Sequence, residues 1–180
     1  MSTPLRMLVL SLATACICLP AAVDPPTEAD YQLLAQQKLI LPIRGLTARD
    51  IHDTFQDSRP GGVPHEATDI MSPRGTPIVA VEDGVIQKLF LSKPGGITIY
   101  EFDRPGVFCF YYAHLDRYAA GLHEGMSVNR GDVIGYVGTT GNASPETPHL
   151  HFAIFKLGPE KHWWQVAPLN PYPMLIKLVP

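Results

Sequence analysis

From about residue 46 onward the apolar positions fall in short runs: TPIVAVEDGVIQKLFLS, GITIYEFD, GVFCFYYAHL, DVIGYVG and HLHFAIF. Asp83-Gly84, Pro94-Gly95-Gly96, Pro105-Gly106 and Arg130-Gly131-Asp132 break them. Short runs bounded by such turn formers predict strands. The 18 prolines and 15 glycines are spread along the chain, so they punctuate strands instead of building a linker. The fold class expected is mainly β, with antiparallel sheets forming one groove-bearing domain over residues 46–180. A lead-in segment at residues 23–45 precedes it. There Thr27 and Asp30 predict the cap of a short N-terminal helix over YQLLAQQ, and Pro42 ends any continuation.

The first residues carry a different pattern. Arg6 precedes the apolar run MLVLSLATACICL, which leads to Pro20, Ala21, Ala22 and the acidic VDPPTEAD. A positive start, an apolar middle and a small-residue end read as a secretory signal over residues 1–22, cleaved after Ala21 or Ala22. The run is shorter than the ~20 apolar residues a membrane span needs, so no stable span is expected once the signal is removed. The expected location is periplasmic or secreted. Ala13-Thr14-Ala15-Cys16 distantly resembles a lipidation box, which makes anchoring through Cys16 a second option.

Composition narrows the picture further. With 180 residues, 46% apolar and 17% charged, the chain suits one globular domain and not a disordered one. Loss of Arg6 with the signal leaves 13 basic residues against 17 acidic ones, with no basic cluster. That argues against a nucleic-acid partner, because phosphate neutralisation requires concentrated Lys and Arg. Cys16 and Cys18 leave with the signal. Cys109, inside FCFYY, then stands alone and reads as a small buried hydrophobe.

The candidate chemistry lies in scattered polar residues: His65 and Asp69 in PHEATDI, His114 in YYAHLDRY, and His149 and His151 in TPHLHF. Side chains at i and i+2 of a strand point to one face, so His149 and His151 share a direction. Two imidazoles on one face of an apolar strand need partners. His65-Glu66 begins like the HExxH helix of zinc proteases, but the fifth residue is Asp69 and the flanking Pro64, Pro73 and Gly75 oppose a helix. A loop running into a strand is expected instead, with Glu66 a solvated neighbour. His52, His123 and His162 have no chemical context and read as ordinary surface or core histidines. Tyr112 shares strand parity with His114, which leaves it either facing a groove or packed in the core. Trp163 and Trp164 either line a carbohydrate surface or pack the tail onto the domain, and packing is favoured.

Taken together, HxxxD, the His-Leu segment and HxH resemble the lysostaphin-type zinc endopeptidases of peptidoglycan, the M23 or LytM family. The similarity runs over roughly residues 54–173 and includes the phrases GTPIVAVEDGVI and GDVIGYVGTTG. The resemblance implies a Zn2+ cofactor held by His65, Asp69 and His151, with His114 and His149 as catalytic histidines. His149 is expected as the base and His114 as the partner of the oxyanion. Peptidoglycan peptides are the implied partner: cross-links or stem peptides cut by a zinc endopeptidase acting as a monomer. The alternative is a non-catalytic relative that activates cell-wall amidases. Such relatives have lost ligands, whereas all five positions are filled here. One departure is visible, Ala67 where the family usually has Gly two residues before the Asp. It implies a slightly different turn.

Overall fold

The structure, a computed structural model, describes residues 22–179. All but the last residue of the expected signal, and Cys16 with it, lie outside the described residues. Nine strands form one antiparallel sheet among them: β1 (Thr68–Met71), β2 (Pro77–Val79), β3 (Gly84–Ser92), β4 (Gly96–Asp103), β5 (Phe108–Tyr118), β6 (Ser127–Val128), β7 (Val133–Val137), β8 (His149–Leu157) and β9 (Val166–Leu169). The main order is β1-β8-β5-β4-β3-β6. β9 extends along β8, and β7 carries β2 against the far end of β5.

Strand parity divides the apolar residues between two faces. On β5, Phe108, Phe110 and Tyr112 enter the main core with Ile78, Ile86 and Ile99. Cys109 turns the other way, against Phe102 and Leu157. It is buried, as its apolar neighbours in the sequence predict. Phe108, Phe110, Ile78, Ile86 and Ile99 are fully buried, and each such side chain stabilises the fold by about 1.5–3 kcal/mol.

The lead-in segment belongs to the same core. Helix α1 (Glu28–Gln36) starts where the Thr27 N–H donates to Asp30 Oδ2 at 2.7 Å. Lys156 Nζ on β8 donates to the same oxygen at 3.0 Å and ties the helix to the sheet. Leu34, Leu39 and Ile43 lie in the main cluster. The Ile40 N–H donates to the Val81 carbonyl, and the Val79 N–H to that of Pro42.

Two stretches differ from the uniform β pattern expected after residue 46. Residues 46–67 hold no strand, because Pro60-Gly61-Gly62 turns the chain with both glycines at positive φ. The tail ends in α2 (Tyr172–Leu175) and a 3-10 turn over Ile176–Leu178. Pro171 and Pro173 sit where a missing N–H costs no helical hydrogen bond. The turn seats Met174 and Leu175 in the core.

Candidate active site

β1 pairs with β8 so that Asp69 stands directly opposite His151. The HxH pair therefore brings a carboxylate beside it through register alone. Asp69 Oδ1 lies 3.2 Å from His151 Nδ1 and 3.9 Å from His149 Nε2. Just upstream, Glu66 takes a left-handed φ of 58°, a kink that is uncommon for a non-glycine residue. Ala67, at the position where a glycine was expected, is fully buried and keeps an ordinary backbone, so the unusual turn falls one residue earlier. The kink turns the preceding His65 back toward β1, and its Nε2 sits 2.9 Å from Asp69 Oδ1. Glu66 lines a separate pocket with Val23, Phe55 and Pro64, away from the histidines. No helix forms here, as the flanking residues predict.

Thr54 organises both residues. Its carbonyl lies 3.0 Å from His65 Nδ1, and a carbonyl only accepts, so Nδ1 carries the proton. The Thr54 hydroxyl accepts from the Asp69 N–H at 3.2 Å. The Arg59 guanidinium donates to the other carboxylate oxygen, Oδ2, at 2.5 Å. Neither Thr54 nor Arg59 carries any signal in the sequence, since both act across a loop.

His114 is aimed by an irregularity in β5. Between Tyr112 and Leu115 the strand holds one residue more than its partner β4, and His114 takes a φ of 61°. Such a bulge re-aims a side chain. It also resolves the parity of the tyrosines. Tyr111 and Ala113 line the groove beside His114, while Tyr112 is fully buried. The Tyr112 hydroxyl accepts from the Val81 N–H and donates to Glu101 Oε2 at 2.7 Å. Reading past the bulge with strict alternation would have missed Tyr111.

The groove, of about 420 Å³, is lined by His65, Asp69, His114, His149 and His151 together with Arg59, Tyr111 and the 142–144 loop. All five residues singled out in the sequence meet there. His52, His123 and His162 do not line it. His114 and His149 stand with ring centres 4.9 Å apart, and His114 and His151 5.6 Å apart. His114 Nδ1 donates to the Thr140 carbonyl at 2.8 Å, and His149 Nδ1 to that of Thr147 at 2.9 Å. Each neutral ring then keeps an unprotonated Nε2.

Burial lowers His114 to about 4, against a smaller upward pull from the Thr140 hydrogen bond. It also lowers His151, although Asp69 pulls the other way. Desolvation alone would raise Asp69. The hydrogen bond and charge that His151 offers are the strongest opposing influence, and the carboxyl is held well below the usual range.

The donor set fits a metal ion. His65 Nε2, Asp69 Oδ1 and His151 Nδ1 lie within 4.8 Å of one another. His65 has already spent its proton on Thr54, so its lone pair faces His151 Nδ1 at 2.9 Å. Three acceptors this close repel unless a proton or a cation lies among them. Two imidazole nitrogens and one carboxylate are a combination that zinc accepts while leaving a position open.

An antiparallel β domain with a groove of histidines around one aspartate has known counterparts. Residues 63–168 match the model of peptidase family M23. The chain is 34% identical over 149 residues to an L-Ala–D-Glu endopeptidase of Bacillus subtilis, covering 79% of this chain and 44% of that protein. It is 34% identical over 98 residues to a peptidoglycan DD-endopeptidase of Vibrio cholerae, covering 54% of this chain and 22% of that protein. The catalytic domain of lysostaphin from Staphylococcus simulans superposes with a TM-score of 0.58 at 28% identity, covering 69% of this chain and 90% of that one. This chain belongs to peptidase family M23. It spans less than half the length of these two curated relatives.

Proposed function

We propose that this protein is a zinc-dependent endopeptidase that hydrolyses peptide cross-links or stem peptides of bacterial peptidoglycan, outside the cytoplasm. One observation carries the proposal: three ligand atoms from His65, Asp69 and His151 converge in a groove that also presents His114 and His149. Membership of a peptidase family supports it. So do the names of the relatives, both endopeptidases and one of them named for peptidoglycan.

His65, Asp69 and His151 would hold the zinc. Bound there, zinc supplies Lewis-acid polarisation of a carbonyl and lowers the pKa of a water toward about 7. His149 is oriented by Thr147, and its free Nε2 takes the proton of the attacking water as general base. His114 starts neutral, with Nε2 an acceptor that orients the same water. As negative charge develops beside it, His114 Nε2 takes up a proton from solvent and donates it to the oxyanion in a hydrogen bond, while the proton held by His149 passes to the leaving amine. Tyr111 and Arg59 border the space where the peptide lies.

Digestion of purified wall material, with fragments identified by mass, tests the function and names the bond. Cleaved stem or cross-link peptides should appear and should vanish with a chelator. Intact wall peptides after incubation with zinc-loaded protein would overturn the proposal. Stimulation of a wall amidase under those conditions would favour the regulator instead.

A further inference from the structure

A line of aromatic rings leaves the groove along the same face of the sheet. Tyr111 lies 5.9 Å from His151, Tyr100 lies 4.7 Å from Tyr111, and Trp163 lies 4.8 Å from Tyr100, ring centre to ring centre. Tyr100 and Tyr111 are direct cross-strand partners on β4 and β5. The β8–β9 connection lays Trp163 over Tyr100 and, at 5.2 Å, over Phe90. These contacts are what packing the tail onto the domain requires.

Trp164 is different. It continues the line 5.4 Å from Trp163, yet it is 63% exposed. Its ring lies parallel to His162, with centres 4.4 Å apart and planes inclined by 9°. His162 thus covers one face of the indole and Trp163 meets it at a steep angle, while the greater part of the residue stays open to solvent. Indole rings are enriched at contact surfaces because they join an apolar face to a polar N–H. A ring held rigid before contact loses little entropy on binding.

We propose that Trp164, backed by His162, is a subsite for the glycan part of the substrate, stacking on the apolar face of a β-linked N-acetylated hexosamine. The subsite depends on the peptidoglycan substrate proposed above, in which the peptide being cut is tethered covalently to a sugar strand. A peptide held beside His151 leads its sugar out of the groove, and the ring line is a continuous path from that point. The exposed neighbours Glu160 and Lys161 carry opposite charges. Glu160 offers an acceptor to hydroxyl and acetamido groups, while the Lys161 ammonium already donates to the Pro105 carbonyl at 3.2 Å. They do not form the basic rim that an anionic membrane recruits.

The test uses the full-length, zinc-loaded protein and its Trp164→Ala and Trp164→Phe variants on two substrates, intact wall material and sugar-free peptide released from it. The ratio of intact-wall to free-peptide hydrolysis should fall about tenfold in Trp164→Ala, equivalent to about 1.4 kcal/mol, and recover in part in Trp164→Phe. The tetramer of β-1,4-linked N-acetylglucosamine should change the tryptophan fluorescence of the unaltered protein and not that of Trp164→Ala. An unchanged ratio overturns the subsite. So does Trp164-dependent binding to anionic vesicles, or Trp164-dependent dimerisation, without a change in that ratio. If the unaltered protein cuts neither substrate, the peptidase function fails, and the oligosaccharide titration alone decides the subsite.

Discussion

Glu101 is fully buried in the core, and replacing it with glutamine should change how stability depends on pH. Its Oε2 accepts from the Tyr112 hydroxyl at 2.7 Å. Desolvation pushes its carboxyl from the ordinary 4.5 up to about 8, and Tyr112 offsets only part of that rise. Between those two values the folded protein keeps a proton that the unfolded chain has released. Unfolding free energy therefore falls as pH rises, by about 1.36 kcal/mol per unit. The loss is absent below 4.5 and complete above about 8, which makes it on the order of 5 kcal/mol across the window. That is a large share of the ~5–15 kcal/mol that holds a domain together. Glutamine keeps an acceptor for Tyr112 and cannot ionise. Urea unfolding of both proteins, followed by circular dichroism at several pH values from 4 to 8, isolates the group, because every other titration cancels in the difference. Glu101→Gln should gain on the unaltered protein steadily as pH rises through neutrality. A difference that stays flat over that range would show that Glu101 ionises normally in the fold, and the burial argument would be wrong.

The metal ligands and the catalytic histidines should separate in other measurements. His65→Ala should lose zinc in a chelator competition, whereas His114→Ala should keep its zinc and lose turnover by about 10²–10⁴-fold, the usual worth of a positioned proton carrier. Unaltered hydrolysis by His114→Ala would remove that ring from the mechanism. Gly141 has a φ of 78°, and a Cβ there would run into the Pro94 carbonyl and the Gly96 nitrogen, whereas Gly121, with a φ of 79°, faces open space. Gly121→Ala should therefore cost only the left-handed backbone penalty of about 1–2 kcal/mol. Gly141→Ala should cost more and disturb the neighbouring Thr140 carbonyl that orients His114; equal denaturation midpoints for the two variants would contradict the clash.

Local pattern carried most of what the sequence could show. The short β runs became β3, β4, β5, β7 and β8 because alternation and turn residues act within a few positions. The shared face of His149 and His151 follows from strand period alone. Their distance from HxxxD in the chain did not hide the set, because the motif order is itself distinctive. The 3-10 turn and α2 escaped notice because Pro171 and Pro173 discourage helices everywhere except in a first turn.

What the sequence determined by itself was which residue types exist to bind, to carry protons and to be buried. The tertiary structure alone decided which of them meet. The β1–β8 register sets Asp69 against His151, 82 positions away, and the left-handed kink at Glu66 returns His65 to the same point. One extra residue in β5 turns His114 into the groove beside Tyr111, whereas regular alternation sends Tyr112 to Glu101. Thr54, Arg59 and Thr140 owe their parts to loops brought within hydrogen-bond distance of the site. The physical reason is the reach of each signal. Strand alternation is fixed by neighbouring dihedrals, but register and bulges are settled by competition among pairings across the whole sheet.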